Sequence, residues 1–358
     1  VLSYFINKIG YSFFTLFGVI TVVFILFNIL PGDPARMMLD QNENSEQLAL
    51  IKKKYGFDQP LTNQYLYYLN DLSPVSFHKN NQDHYTFYNK EKYGGTVLFE
   101  TSSYKVVLKT PYLRESFQKN GKKVTDIIAH TLPSTVFLAV FAIGIAMFIG
   151  VILGVLSALY ANSFFDRITA FISTLGMSVP SFFSAILFAW IFGFVLHEYT
   201  NLNMTGSLYE VDDFGEGVHL SIKNSILPAF VLGIRPLGVV IQLMRNSLLE
   251  VLNQEYIRTA KAKGLSTYNI VAKHALKNAL NPVVTAVSGW FASMLAGAVF
   301  VEYIFGWNGL GKEVVDALNN LDLPVIMGAV IVIATTFVLI TILVDLIYAY
   351  LDPRIKLK

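Results

Sequence analysis

The sequence contains no cysteine. That excludes disulfides, a thiolate metal site and a catalytic thiol, and it leaves the redox compartment open. Charge is also scarce. Only 15% of the residues are Asp, Glu, Lys or Arg, against about 25% in a soluble chain. A net charge of +2 over 358 residues is too small to imply a nucleic-acid partner. Metal-ligand patterns are missing as well. The histidines at 78, 84, 130, 197, 219 and 274 form no pair at helical ligand spacing, so no metal site is expected. The nearest approach to a nucleotide-binding loop is Gly306-Trp-Asn-Gly-Leu-Gly311-Lys312-Glu313. Glu313 stands where a Ser or Thr must hold magnesium, and no strand precedes the loop. The chain therefore has no means of hydrolysing ATP by itself.

What is abundant is apolar. Hydrophobic residues make up 54% of the chain, and a helix needs about 20 of them in a row to cross the hydrocarbon core. Six segments qualify: 9–30, 135–161, 168–196, 225–244, 283–301 and 325–350. The first carries no charge and is too long for a signal-peptide core, so it reads as a retained span. Loop charges set the orientation. With the N-terminus in the cytoplasm, the inside segments hold Lys8, Arg167, Arg245, Arg258, Lys261, Lys263, Lys273, Lys277, Arg354, Lys356 and Lys358. The short outside loops 197–224 and 302–324 hold only Lys223 and Lys312. Both termini are thus expected in the cytoplasm, with a lipid bilayer as solvent for the core.

The long outer loop, 31–134, has its own texture. Residues 45–55 read as a short helix capped by Ser45 and stopped by Gly56. Residues 61–72 repeat the pattern, with Tyr65, Leu66 and Leu69 on one face. Three short β-branched and aromatic runs follow, at 84–88, 96–100 and 104–108. They are broken by Gly94-Gly95 and Thr101-Ser102-Ser103, a strand-and-turn signature. Residues of about 73–120 are therefore expected to form a small β-rich insertion outside the membrane. This divides the chain into 1–30, the outer loop 31–134, and a five-helix core 135–358.

The one long inside loop, 245–282, carries a more specific layout. A helix over 255–264 ends at Gly264, and Ser266 can cap the next helix, which runs through His274 and Asn278 to Pro282. Ala260 and Gly264 lie four apart, where small side chains let another backbone come close. Two short helices joined at a sharp corner make a compact basic knob.

This stretch resembles the signature loop of ABC-importer permease subunits, whose short coupling helix docks into a groove on an ATPase. The second Ala and the Gly of the general Glu-Ala-Ala pattern are kept as Ala260 and Gly264, with Arg258 and Thr259 at the two positions before them. That departure is similar to the oligopeptide/dipeptide branch, as is the run His274-Ala-Leu-x-Asn278-Ala-Leu-x-Pro282. Leu30-Pro-Gly-Asp-Pro34, Tyr55-Gly-x-Asp-Gln-Pro60, Glu302-x-x-Phe305-x-Trp307-x-Gly309-Leu-Gly311 and Asp352-Pro-Arg354 extend the likeness to the B-type subunit over nearly the whole chain. The insertion at 73–120 is the departure.

The resemblance implies an all-α polytopic permease with six transmembrane helices of the type I importer fold, in a bacterial cytoplasmic (inner) membrane. It implies four partners: a homologous second permease, two ABC ATPase subunits that bind the ATP and magnesium, and an extracytoplasmic substrate-binding protein. Glu255, Arg258, Thr259, Ala260, Lys263 and Gly264 would couple to an ATPase. Glu302, Trp307, Gly309 and Gly311 would belong to an outer gate loop near the substrate entrance. The substrate class would be di- or oligopeptides, with nickel or another metal chelate as the alternative.

Two intramembrane charges stand apart from these motifs. Arg235 falls near mid-span, where a charge costs at least ~2.5–3.5 kcal/mol. It either lines the translocation cavity or forms a structural pair with a buried polar group on a neighbouring subunit. Asp345 lies about one turn from the inner end of its span, where pairing or snorkelling accounts for it. An ion-coupled secondary transporter would need more intramembrane carboxylates than Asp345, and a membrane-embedded enzyme would need a catalytic constellation that the spans do not contain.

Overall fold

The computed structural model describes residues 2–29, 35, 45–82, 84–119, 121–211 and 217–351. The Leu30–Pro34 and Asp352–Arg354 motifs lie outside them. In chain order the elements begin with helix α1 (Leu2–Ile29), α2 (Ser45–Tyr55), α3 (Leu61–Leu72), strand β1 (Val75–Lys79), α4 (Lys90–Tyr93), β2 (Thr96–Glu100) and β3 (Tyr104–Leu108). Next are α5 (Val124–Leu159), α6 (Phe164–Ser178), α7 (Ser181–Phe188) with a π-helical extension over Ala189–Val195, α8 (His197–Thr200) and the strand pair β4 (Tyr209–Val211) and β5 (Val218–Leu220). Then follow α9 (Ile226–Leu252), α10 (Glu255–Ala262), α11 (Thr267–Asn269) continuing as a π turn over Ile270–Ala275, and α12 (Leu276–Ala279). The last are α13 (Asn281–Gly297), α14 (Val299–Phe305), α15 (Leu310–Asn319) and α16 (Leu323–Leu351).

Among the described residues, four helices are long and apolar enough to cross a bilayer: Asn7–Asn28, Val124–Leu159, Ile222–Leu252 and Leu323–Leu346. The expected straight span at 168–196 is instead two helices, bent by 109° between Ser178 and Ser181. Pro180 causes the break. It has no N–H to give, and its ring pushes the residue before it out of the helical region; Val179 is accordingly extended, with φ −76° and ψ 132°. The expected span at 283–301 is α13 followed by α14. With 17 residues, α13 is at the short end of what crosses a bilayer, about 17–25 residues. Six crossings are reached only by taking the bent pair as one and α13 as another.

The chain divides into two compact units, residues 1–10, 131–315 and 335–358, and residues 11–130 and 316–334. The first unit is a helical body with two apolar clusters. One gathers Leu138, Ala139 and Ala142 of α5 with Leu227, Val231 and Leu232 of α9 and with Val301, Phe305 and Trp307. The other joins Val240, Met244 and Leu248 of α9 to the knob residues Ile257, Ala260, Val271 and Ala275. Close approach of α5 and α9 requires glycine at two positions. A Cβ at Gly150 would lie 2.6 Å from Val240 Cγ1, and one at Gly154 would lie 2.6 Å from Met244 Cβ. Asp345 forms an ion pair with Lys8, so pairing is what accommodates it.

The second unit holds a three-stranded antiparallel sheet in the order β1-β3-β2. Val107 of β3 opposes Ser76 of β1 and Val97 of β2. Strands 96–100 and 104–108 are as expected, but 84–88 is not a strand. Its backbone turns back on itself, with Phe87 N–H donating to the His84 carbonyl at 2.8 Å. Its side chains point inward instead: the Tyr85 hydroxyl donates to Asp71 Oδ2 at 2.9 Å. The third strand is Val75–Lys79, whose alternation buries Ser76 and His78. The inward face of α3 is also shifted from expectation. Tyr68 and Asp71 are buried, whereas Leu66 is 55% exposed.

Candidate functional site: a cleft at Arg235, a glycine-rich loop and a basic knob

The helix break at Pro180 shapes a cleft in the first unit, lined by Val179 and Ser184, by Arg235 and Pro236 of α9, and by Trp290 and Ser293 of α13. α9 passes through Pro236 without ending. Proline there leaves the carbonyl one turn earlier without its helical donor. Irregular backbone of this kind at membrane depth is tolerated only against protein or a water-filled cavity. Arg235 is exposed. Among the described residues it has no ion pair or hydrogen bond, and it is the only charged residue lining the cleft. A guanidinium keeps its charge at any accessible pH, so it is held ready for water, an anion or a partner. Ser181, Ser184, Trp290 and Ser293 were not singled out in the sequence. The signal that could have found the first two was Pro180 inside an otherwise unbroken apolar run.

In the loop Glu302–Gly311 the side chains of Glu302, Phe305, Trp307 and Leu310 are buried, whereas Tyr303 and Asn308 are exposed. Gly306, in the left-handed region at φ +66°, stops α14 and turns the chain. Trp307 is fully buried, with its indole N–H donating to the Ser134 carbonyl at 3.1 Å and its ring stacked on Phe137. Glu302 is also fully buried. Its Oε2 accepts from the N–H of Gly311 at 2.6 Å and of Lys312 at 3.2 Å. Those donors are in the first turn of α15, so a carboxylate from one helix caps the next and meets its positive end. Gly309 and Gly311 make room for it: a Cβ on Gly309 would sit 2.4 Å from Glu302 Oε2, and one on Gly311 2.5 Å from Val299 Cα. The glycine-rich pattern is thus a consequence of burying Glu302.

The knob folds as its sequence suggests. α10 ends at Lys263, Gly264 takes φ +77°, and Leu265 N–H closes the turn on the Ala260 carbonyl at 3.3 Å. The Ser266 hydroxyl accepts from Asn269 N–H at 3.4 Å and starts the next helix. Asn278 donates to the Tyr256 hydroxyl at 2.9 Å and ties the two arms together. One expectation needs correction. The side chain of Ala260 is only 7% exposed and packs with Ile257, Ile270 and Val271. Its small size serves the knob's own core, and no partner backbone reaches it without opening that core. Glu255, Arg258, Thr259, Lys263 and Gly264 are exposed, together with Tyr256, Leu265 and Tyr268, which the sequence reading passed over. Tyr268 is 78% exposed. Nothing in the spacing distinguishes such a tyrosine from a core residue.

Arg245, counted among the inside charges, is committed to a bidentate pair with the buried Asp166, Nε to Oδ1 at 2.6 Å and Nη2 to Oδ2 at 2.7 Å. Ser157 and the Asn162 N–H complete the carboxylate's partners. The pair joins α6 to α9 at the end of α9 that leads into the knob.

Known proteins resemble this chain over its whole length. Residues 150–357 match the family described as "Binding-protein-dependent transport system inner membrane component", and residues 1–87 match the N-terminal model of the same system. The dipeptide transport system permease protein DppB of Alkalihalophilus pseudofirmus is 33% identical, over 99% of this chain and all of that one. DppB of Escherichia coli is 30% identical over the full length of both. The di/tripeptide permease DppB of Pseudomonas aeruginosa is 30% identical over 99% of each. A chain of the MetNI methionine ABC transporter, solved inward-facing, shares the fold with a TM-score of 0.50 at 17% identity, over 64% of this chain and 98% of that one. The chain belongs to the binding-protein-dependent inner-membrane transport family and is a multi-pass permease component of an ABC importer, not an enzyme.

Proposed function

We propose that this permease carries di- and oligopeptides, that it forms half of the pathway with a homologous permease, and that its knob couples it to an ATPase. The relatives named as dipeptide and di/tripeptide permeases support the substrate class. The observation that carries the pathway is Arg235, a permanent charge without a partner among the described residues, beside a broken helix in an apolar body. A guanidinium suits a peptide carboxylate, which it can hold with two parallel hydrogen bonds. It repels a bare metal cation. In the importer cycle the chemistry belongs to ATPase subunits, which would bind ATP and magnesium. This chain would convert their closure into movement of α9, because the knob packs directly on Met244 and Leu248. The outward side would receive peptide from an extracytoplasmic binding protein, with both termini of this chain in the cytoplasm.

The test replaces Arg235 by Met, which keeps length and removes charge. Arg235→Met should assemble at normal abundance and lose uptake of a labelled dipeptide. Assembly lost together with uptake would identify a structural pair with the second permease, because an uncompensated buried charge costs about 3–5 kcal/mol. Normal uptake would refute the pathway reading.

A further inference from the structure

We propose that the second unit carries a small-molecule site of its own, built around Lys92, for zwitterionic ligands of the amino-acid or short-peptide type. The inference stands on this cavity and not on the cleft at Arg235. A cavity of ≈ 310 Å³ opens between the end of α2, the start of α4 and the segment 112–115. Asn89 fixes the position of Lys92 by capping α4, accepting from the N–H of Glu91 at 2.8 Å and of Lys92 at 3.4 Å. The Lys92 ammonium then sits over three tyrosine rings, 4.6 Å from the centroid of Tyr85, 4.8 Å from Tyr93 and 5.7 Å from Tyr112. Ring faces attract a cation but accept none of its three N–H donors in the ordinary sense. No acceptor among the described residues takes them. Burial accordingly pushes the ammonium below the usual lysine range.

The rest of the lining narrows the ligand. Lys54 adds a second cation, its ammonium 5.4 Å from the centroid of the Tyr55 ring. Arg114 adds none, because its charge is spent on Asp71 at 3.0 Å. Glu91 and Glu115 supply two carboxylates with no ion pair among the described residues. A simple anion entering here meets both carboxylates, and a simple cation meets both ammonium groups. A molecule bearing both charges, separated by a short apolar stretch, satisfies the two sets together and lays its carbon atoms on Tyr85 and Tyr112.

The experiment is hydrogen–deuterium exchange on the full chain in lipid nanodiscs, with alanylalanine as probe and N-acetylalanine and alaninamide as single-charge controls. Alanylalanine at ten times its dissociation constant should slow the amides of segment 89–93 about tenfold, leaving segment 255–262 unchanged. The single-charge controls should protect far less. Lys92→Met and, separately, Glu115→Gln should abolish the effect, whereas Arg235→Met should retain it. Glu115→Gln keeps the proposal testable if loss of Lys92 perturbs the tyrosine cluster. No protection of segment 89–93 overturns the proposal. So does equal protection by N-acetylalanine, full protection in Glu115→Gln, or its loss in Arg235→Met.

Discussion

Gly309→Ala tests whether the glycine-rich loop is a consequence of burying Glu302. The added methyl would lie 2.4 Å from Oε2, 2.5 Å from Cδ and 2.6 Å from Oε1 of that side chain. The carboxylate belongs to a fully buried side chain and is held in place by the N–H groups of Gly311 and Lys312. Forcing a methyl into a filled site costs about 1–3 kcal/mol. Moving the carboxylate also breaks its 2.6 Å bond to Gly311 N–H, and a hydrogen bond to a charged group is worth about 1.5–3 kcal/mol. Together the loss is about 2.5–6 kcal/mol. At roughly 2–4 °C per kcal/mol, the detergent-solubilised protein should melt at least about 5 °C lower.

Two controls separate this account from a general intolerance of substitution. Gly289 also sits inside a helix, but a Cβ there meets nothing within 4 Å. Gly289→Ala should be neutral or stabilising by up to about 1 kcal/mol, from helix propensity alone. Glu302→Ala is itself destabilising, because it uncaps α15. In that background, however, Gly309→Ala should cost little more, a coupling of at least about 1 kcal/mol. Wild-type melting of Gly309→Ala would refute the reasoning, as would an equal loss with and without Glu302.

Four further outcomes are expected. Asp166→Asn should lower stability by about 2–3 kcal/mol, less than the ~3–5 kcal/mol of a fully buried pair because the Arg245 side chain is 25% exposed; removing Arg245 as well should restore part of the loss in a thermal melt. The second unit should weaken in acid through His78, whose pKa burial pushes below the usual 6.5, with Lys109 and Lys92 acting in the same direction against Asp71 and the Thr86 carbonyl. Because the folded value is depressed, this contribution is complete above about pH 6.5 and declines as the unfolded chain takes up a proton below it, so the protection factors at 75–79, taken relative to the intrinsic exchange rate at each pH, should fall at pH 5 and the effect should vanish in His78→Gln. Tyr268→Ala should leave the knob folded and reduce peptide-stimulated ATP hydrolysis by the reconstituted importer, whereas Ala260→Leu should disrupt the knob itself; wild-type coupling in Tyr268→Ala removes that residue from the docking face. An impermeant thiol reagent should label Leu98→Cys, 57% exposed on β2, from outside intact cells and should not label Lys263→Cys; the reverse pattern overturns the orientation.

The features legible in the sequence were those whose signal is local. α2 and α3 follow from a run of helix formers stopped by Gly56 and by Ser73-Pro74. The corner of the knob follows from Gly264 and Ser266, and the 96–108 hairpin from alternation around Thr101-Ser102-Ser103. The bent crossing also had a local signal in Pro180, masked by an apolar run that looked continuous by composition. The residues that needed the structure are those whose role depends on a distant partner. Asp166 and Arg245 are 79 positions apart; Arg245 read only as a positive-inside base, and Asp166 belonged to no motif.

Ala260 shows how a small residue at helical spacing can serve the chain's own packing. Spacing places it on the same helix face as Gly264, and a small residue on such a face is compatible with two neighbours: another protein, or the chain's own second arm. Sequence periodicity identifies a face, but it does not say what covers it. In the folded knob Ile270, Val271 and Ala275 cover it. The surface left for a partner is then set by the remaining positions of the same helix, Glu255, Tyr256, Arg258, Thr259 and Lys263, and by Leu265 and Tyr268 beyond the corner. Small residues build the knob and let it sit against α9. The exposed tyrosines and charges are what it can present, and substitutions at the two kinds of position should therefore fail in different ways: loss of the fold at the first, loss of coupling with the fold intact at the second.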